Sequence, residues 1–360
     1  MSAAMNNMAS NTWLRLGLAA VAVAGVVGLL TFERPPVESV QRGFRGVAMG
    51  QVYNPRTLEA QAPLNVVPEA QPATEKADQP SSAVYQNVQV LKDLDANEFL
   101  RLMTAITEWV SPQQGCTYCH AEGQELSSDS LYTKVVARRM LQMTMAINTD
   151  WKNHVSNTGV TCFTCHRGQP VPANIWFDGA PRAHFNGFVG DRAGQNAPSR
   201  TVAYASLPNE VLTAFLEYDR EIRVAGRTAL PDGNRQSIKQ TEATYGLMMH
   251  FSQSLGVNCT FCHNSRAFAS WDESTPQRGS AWYGIRMVRD LNATFLESLK
   301  NVFPHARLGP TGDVAKVNCA TCHQGAFKPL YGANMTKDYP ELVMTLPPEA
   351  RAETPAPAKP

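Results

Sequence analysis

The sequence predicts a mainly helical protein with two similar halves, long connecting loops and an apolar N-terminal helix. Three observations lead to this fold class. The pattern Cys-x-x-Cys-His occurs four times, apolar residues at helical spacing precede its copies, and the alternating patterns typical of strands are few. With 360 residues, the chain is long enough for two or three hydrophobic cores of ordinary size.

The first element is an uncharged apolar segment of 17 residues, LGLAAVAVAGVVGLLTF, at positions 16–32. Its length lies at the lower end for a membrane-spanning helix and is too long for an ordinary signal-peptide core. We therefore predict a cytoplasmic N-terminus at 1–15 and an uncleaved transmembrane anchor at 16–33. Because Ala22-Val23-Ala24 resembles a cleavage site, a processed signal peptide is the alternative.

The rest of the chain divides by composition into a strap, two halves and a tail. Residues 34–82 include a stretch rich in Ala, Gln, Pro and Glu, which predicts an extended strap or linker. The halves, at 83–190 and 204–336, each read as helix, motif, helix, motif, and a connection at 191–203 joins them. We interpret this arrangement as an internal duplication. The Pro- and Ala-rich composition of 337–360 predicts a disordered tail.

Helices are predicted directly before the motifs. Asp95 and Glu98 fit a capping pair at the start of the first helix, and apolar residues at helical spacing follow. Ser111 and Pro112 predict the end of this helix, just before the first motif. A similar apolar pattern precedes the third motif and ends at Gly256.

The four motifs contain all 8 cysteines of the chain. The cysteine pairs are Cys116 and Cys119, Cys162 and Cys165, Cys259 and Cys262, and Cys319 and Cys322; the histidines that follow them are His120, His166, His263 and His323. This pattern is typical of haem c, whose two vinyl groups form thioethers with the cysteines while the histidine binds the iron. A zinc-thiolate site would not require histidine after every pair, and a redox disulfide would need only one pair. The sequence therefore predicts a multihaem c-type cytochrome with four haem c groups, and it leaves no cysteine for a disulfide.

Charge and attachment chemistry limit the surroundings of the protein. A formal net charge of +1 gives no argument for nucleic-acid binding. Bacterial c-type haem is attached outside the cytoplasm, so we predict a single-pass anchor in the cell inner membrane and a haem-binding region in the periplasm.

The sixth iron ligand distinguishes an electron carrier from a catalyst, because an open position admits a substrate. Met103, Met140 and Met248 lie on the helices before the first three motifs and are the best candidates there. Met143 and Met145 are close rivals of Met140. Since methionine commonly fills gaps in hydrophobic cores, a packing role is the alternative for each.

The fourth motif has two candidates for its sixth ligand. Met287 precedes it at the position that corresponds to Met140 in the first half, whereas His154 has no other role if Met140 binds the second iron. The residues alone leave these two equal. His250 and His305 are further free imidazoles.

The chain resembles the tetrahaem cytochrome c subunit of the purple-bacterial photosynthetic reaction centre from about residue 40 to residue 331. The resemblance rests on QRGFRGVAMGQVYNP at 41–55, on EFLRLMTAITEWV at 98–110 and on the spacing of the four motifs. It implies three haems with His/Met ligation, through Met103, Met140 and Met248. It also implies one haem with His/His ligation through His154, which makes Met287 a packing residue.

The resemblance implies a function as well. Such a subunit is not an enzyme; it carries electrons from a soluble periplasmic donor, either cytochrome c2 or a high-potential iron–sulfur protein. The electrons reach the photo-oxidised special pair held by the L and M subunits, and the haem of the third motif lies nearest to that pair. The best-known relatives begin with a lipid-modified cysteine, which this sequence lacks, so we expect the 16–33 segment to replace that anchor.

Two other classes of protein share some of these features. A membrane-anchored multihaem quinol dehydrogenase would also have an N-terminal helix and four haems, but in a shorter chain with histidine ligands. A multihaem reductase would need an iron with an open position beside ionisable residues, and the sequence suggests no such cluster.

Overall fold

The computed structural model describes residues 2–32, 36–44, 47–179, 199–208, 210–224 and 237–352. Within these residues it is mainly helical, as predicted. The predicted connection at 191–203 lies outside them except for its last five residues. The helices are α1 Ser2–Thr31, α2 Pro55–Gln61, α3 Ser81–Val84, α4 Ala96–Val110, α5 Tyr132–Asp150, α6 Lys152–Val155, α7 Cys162–His166, α8 Ile238–Leu255, α9 Pro276–Asp290, α10 Cys319–His323 and α11 Pro348–Ala352.

The N-terminal helix α1 contains most of the apolar segment that the sequence predicts as an anchor. Its part from Thr12 to Thr31 is long and apolar enough to cross a membrane, and none of this part is buried within the described residues. A membrane anchor and a signal sequence both have an apolar helix of this kind, so the helix agrees with either alternative.

The strap contains regular structure that the sequence did not predict. Strands β1 (Glu38–Phe44) and β2 (Val47–Tyr53) form an antiparallel hairpin in which Gln41 lies opposite Gly50. Helix α2 and a 3-10 turn at Ala62–Asn65 follow, and residues 66–79 then run without regular secondary structure. The low-complexity composition of 58–82 hid the 3-10 turn and most of α2, whereas the hairpin lies before that stretch.

The long helices begin and end where local chemistry requires. The carboxylate of Asp95 accepts a hydrogen bond from the backbone N–H of Asn97 at 2.9 Å and so caps α4, which ends at Val110 as predicted. Helix α8 begins with a capping box between Ser237 and Gln240. It ends at Gly256, whose φ of +64° suits glycine.

One hydrophobic core joins the two halves of the chain. It includes Leu102 of α4, Ile147 of α5, Leu247 of α8 and Leu291 just after α9. The halves therefore stabilise one another, and neither has a separate core of comparable size among the described residues.

The prediction of a disordered tail is wrong for residues 337–352. Tyr339 and Leu342 are 1% and 0% exposed, and the ring of Tyr339 packs edge-on against Trp109 with ring centroids 4.7 Å apart. The Tyr339 hydroxyl also accepts a hydrogen bond from the backbone N–H of Gln71 in the strap. These apolar and aromatic side chains bury too much surface to leave the segment unfolded.

Candidate haem attachment sites

The first and third motifs, which we call the outer motifs (residues 116–120 and 259–263), have the same local structure. Each begins in a 3-10 turn, at Gly115–Tyr118 and at Cys259–Phe261. Their first cysteines, Cys116 and Cys259, are exposed. In both turns the backbone N–H of the histidine donates to the carbonyl of the first cysteine.

The second and fourth motifs, the inner motifs (residues 162–166 and 319–323), are short α-helices instead. Thr161 and Thr164 form a capping box before and within α7, and Asn318 and Thr321 form the equivalent box in α10. Each helix ends at its histidine because the next residue has a left-handed conformation. The inner motifs are therefore fixed at both ends by their own side chains and backbone.

The four motif histidines share one hydrogen-bonding pattern. In each, Nδ1 lies 2.8–2.9 Å from a backbone carbonyl oxygen; the acceptors are Leu126 for His120, Gln169 for His166, Phe268 for His263 and Ala326 for His323. A carbonyl can only accept, so Nδ1 carries the proton and Nε2 keeps the lone pair that binds a metal. Such orienting bonds are typical of metal-binding histidines.

His154 shows the same pattern and lies beside the fourth motif. Its Nδ1 donates to the carbonyl of Ser280 at 2.9 Å, and its ring centroid lies 6.0 Å from that of His323. Two imidazoles that bind one metal ion from opposite sides, each through a nitrogen at about 2 Å, have ring centres on the order of 6 Å apart. Gly284 makes room for this ring, since a Cβ there would lie 2.6 Å from Cε1 of His154.

The candidate methionines fall into two groups by burial. Met103, Met140 and Met248 are half-buried at the edge of the core. Their rivals Met143, Met145 and Met287 are 9%, 3% and 8% exposed and belong to the core itself. The two groups therefore differ in how far the core encloses their side chains.

Burial sets the protonation state of the inner sites. It lowers the pKa of His323 to about 4 and also lowers the pKa values of His166 and His154. The neutral imidazole, which is the form that binds metal, is therefore favoured at these positions. Burial likewise raises the pKa of Cys162 to about 11 and that of Cys319 to about 12.

The motifs follow one another through the molecule in the order first, second, fourth, third. The backbone N–H of Gly168, after the second motif, donates to the carbonyl of Trp109 at the end of α4, the helix before the first motif. In the corresponding contact, the N–H of Gly325 donates to the carbonyl of Ser254 at the end of α8, the helix before the third motif. Between these two contacts, α7 and α10 lie side by side.

The strap passes the motifs in the reverse of this order. Thr260, in the third motif, donates a hydrogen bond to the carbonyl of Gly50 in β2. Gln61 then packs against Gly325 after the fourth motif, and Asn65 accepts a hydrogen bond from Arg167 after the second. Beyond them, the side chain of Gln71 reaches Glu108 of α4.

The structure differs from the sequence prediction at one pair of cysteines. Cys165 and Cys322, the second cysteines of the inner motifs, are joined as a disulfide with Cα atoms 4.4 Å apart. The cause is the direct contact of α7 with α10, which brings the two sulfurs together. A sulfur that forms a thioether cannot also form a disulfide, so this bond and haem attachment at these two cysteines are alternatives. The other six cysteines are free thiols.

Sequence reasoning missed several residues that build these sites. Asn148 bonds the backbone N–H and C=O of Val160 with its side chain, and Asn292 does the same to Val317. Both are buried and hold the segment that leads into an inner motif. A lone asparagine in a helical pattern gives no signal of such a role, and the same is true of Gly284.

Comparisons with known proteins point to one family. Residues 33–343 match the family described as "Photosynthetic reaction centre cytochrome C subunit". The photosynthetic reaction center cytochrome c subunit of Rubrivivax gelatinosus is 55% identical over 91% of this chain and 90% of its own length. Proteins of the same name from Thermochromatium tepidum and Roseobacter denitrificans are 52% and 42% identical, each over 92% of this chain and over 81% and 92% of their own lengths.

Proposed function

The chain belongs to the family of photosynthetic reaction centre cytochrome c subunits, and from this premise we propose how it passes electrons to the reaction centre. It is an electron-transfer subunit that carries covalently bound haem c, and it is not an enzyme. The finer proposal is a row of four haems that leads from a soluble periplasmic donor to the photo-oxidised special pair of the L and M subunits.

The motif residues have the chemistry that four haem c groups need. When bound, each haem supplies a one-electron iron couple whose potential depends on the axial ligands. Each of the four motifs has two cysteines for covalent attachment and an imidazole whose tautomer is fixed by a backbone carbonyl. At the two inner motifs, attachment would take the place of the bond between Cys165 and Cys322. That repeated histidine geometry is the observation that carries the proposal.

The proposed sixth ligands follow from burial and from the His154 contact. Half-buried Met103, Met140 and Met248 would serve the first three haems, which raises their potentials relative to histidine ligation. His154 would serve the fourth, because its ring already lies 6.0 Å from that of His323. Met287, in the core, would only pack.

We also propose that the two halves are duplicates. The matching features are the 3-10 turns of the outer motifs, the capping boxes of the inner motifs and the two asparagines Asn148 and Asn292. Independent origin would have to produce each of these pairs separately, whereas duplication explains them together.

The strap supports an orientation in which the third motif lies nearest the membrane. Residues 32–37 connect α1 to β1, and seven Cα–Cα steps span at most about 25 Å. The hairpin that begins there contacts Thr260 of the third motif. With α1 as an inner-membrane anchor, the third motif would face the L and M subunits, and the first would face the periplasmic donor, either cytochrome c2 or a high-potential iron–sulfur protein.

Flash excitation of membranes that contain the protein tests the proposed function. We expect the absorbance of the c-type α-band to decrease as the special pair is re-reduced, because the haems supply the electron. Special-pair re-reduction with no change in that band would contradict the proposal. Rapid binding of carbon monoxide by the reduced native protein would instead favour a multihaem reductase, and a redox titration with no high-potential component would favour a quinol dehydrogenase.

A further inference from the structure

The two inner motifs are linked by a reciprocal pair of hydrogen bonds. Arg167, directly after His166, donates from Nη2 to the carbonyl oxygen of Cys322 at 3.0 Å. Gln324 has the corresponding position after the fourth motif, and its Nε2 donates to the carbonyl oxygen of Cys165 at 3.4 Å. Each side chain therefore reaches from its own motif to the second cysteine of the other.

Both side chains are also held by their own helix. Nε of Arg167 donates to the carbonyl of Thr164 at 2.9 Å, and Nε2 of Gln324 donates to the carbonyl of Thr321 at 3.2 Å. The two residues have left-handed backbone conformations, with φ of +50° and +46°. This conformation ends each helix and lets the side chain satisfy carbonyls of both helices.

The strap holds this contact from a third side. Asn65 is 4% exposed, and its Oδ1 accepts hydrogen bonds from the backbone N–H of Leu330 at 3.1 Å and from Nη1 of Arg167 at 3.4 Å. Arg167 Nη1 also donates to the carbonyl of Leu64. The guanidinium of Arg167 thus joins the second motif, the fourth motif and the strap.

We propose that Arg167 and Gln324 are positioning residues that set the separation and orientation of the two inner haems and thereby the rate of electron transfer between them. This inference rests on the proposed function, since it requires a haem at each inner motif and therefore thioethers in place of the bond between Cys165 and Cys322. The two hydrogen bonds that carry it go to backbone carbonyl oxygens and do not involve the sulfurs. The path from the first motif to the third passes through this contact, so a change in its geometry affects every electron that travels the full row.

Arg167 is charged and Gln324 is neutral, so their effects on haem potential and on the rate of electron transfer can be measured separately. The guanidinium of Arg167 is charged at neutral pH, because an arginine side chain is not deprotonated in proteins. A cation next to both inner motifs disfavours the ferric state of the iron and so raises the reduction potential. Gln324 contributes a hydrogen bond without this charge.

Three variants of the membrane-bound protein separate position from charge. Arg167→Gln keeps a donor but removes the cation, so we expect lower midpoint potentials for two of the four haems and nearly unchanged electron transfer between them. Arg167→Met removes both, and we expect lower potentials together with several-fold slower transfer. Gln324→Met should slow transfer without the charge-dependent loss of potential. Lys300→Gln, which removes a half-exposed surface cation, is the matched control and should change neither quantity.

The readouts are a redox titration and the time course of the haem α-bands after a flash, with the haem content of each variant measured first by mass. Wild-type transfer rates in both Arg167→Met and Gln324→Met would overturn the positioning role. Potentials restored by Arg167→Lys would confirm that the shift arises from charge. If Arg167→Met loses a haem, Gln324→Met decides the question alone. Fewer than four haems in the wild-type protein would contradict the proposed function instead.

Discussion

The inner and outer motifs have the same five-residue pattern but different structures. The outer motifs are 3-10 turns with an exposed first cysteine, and their histidines bond to carbonyls five or six residues further on. The inner motifs are α-helices with capping boxes at their starts, and their histidines bond to carbonyls three residues further on. The inner motifs also contact one another directly.

This difference follows from what surrounds each motif. An inner motif lies between the other inner motif and the helix that precedes an outer motif. Its backbone groups must therefore find their hydrogen-bond partners within the motif and the residues next to it. An outer motif lies at an end of the row, where long loops can supply the carbonyl that orients its histidine. Surface exposure at the ends suits electron exchange with partner proteins, and close packing in the middle suits transfer within the chain.

The largest expected effect comes from removing an inner attachment site. Replacing Cys162 and Cys165 with alanine should cost one haem and interrupt the row, so re-reduction of the special pair by the donor should slow by orders of magnitude. Replacing Cys116 and Cys119 should also cost one haem, but it leaves the second, fourth and third haems as an unbroken row, so re-reduction by the donor should slow much less. For each variant, mass spectrometry measures the haem content and flash kinetics measure the rate of re-reduction. Equal kinetics in the two variants would contradict the order of motifs.

A ligand exchange at the fourth motif should have the next largest effect. His154→Met should raise the potential of one low-potential haem by a substantial part of the roughly 0.8 V range that axial ligands span. Met287→Leu is the control and should leave all potentials unchanged, because that side chain lies in the core. A redox titration measures both, and an unchanged titration for His154→Met would show that His154 is not a ligand.

A single added methyl group should have different effects at two glycines of α9. Gly284→Ala places a Cβ 2.6 Å from the His154 ring, so we expect the ring to move, the low-spin bis-histidine signal in electron paramagnetic resonance to weaken and stability to fall by about 1–3 kcal/mol. Gly279→Ala lies in the same helix with no atom within 4 Å of the new methyl, and it should change neither. Identical spectra for the two variants would show that Gly284 has no role in positioning His154 at the fourth motif.

The smallest effect concerns acid sensitivity next to an outer motif. Lys134 and His120 both donate to the carbonyl of Leu126, and Asp129 pairs with Lys134 and Arg138. Although burial raises its pKa, the neighbouring cations of Arg138 and Lys134 and the amide of Asn87 outweigh burial and lower the pKa of Asp129 to about 2. Because the folded-state pKa is depressed, this pairing stabilises the fold above about pH 4 and is lost as the pH falls through about 2.

Asp129→Asn should therefore reduce the free energy of unfolding by about 1–2 kcal/mol at neutral pH and by progressively less below pH 4. Denaturant unfolding followed at several pH values measures this difference. If the variant's loss in free energy of unfolding stays constant down to pH 2, the carboxylate charge is not the cause of that loss.

The sequence predicted the features that depend on local pattern. The four motifs, the capped start of α4 at Asp95 and the ends of the helices before the outer motifs all follow from a few adjacent residues. It did not predict the hairpin in the strap, and it was wrong about residues 337–352. Tyr339 is stabilised by Trp109 and Gln71, which lie more than 200 residues away, and no local pattern can reveal such a contact.

Local pattern also failed to predict those features of the haem attachment sites that depend on contacts between distant residues. The residues left His154 and Met287 equal as sixth ligands, because the choice depends on which side chain reaches His323 in space. Likewise, the contact between the inner motifs could not be foreseen from their spacing of 157 residues. Only the fold brings Arg167 and Gln324 to opposite motifs.

Mass spectrometry of the purified protein, with peptide mapping, tests the central claim most directly. We expect haem on the peptides of all four motifs, every cysteine in a thioether and no change in mass on treatment with a reductant. Peptides of the inner motifs linked through Cys165 and Cys322, with haem on neither, would contradict it.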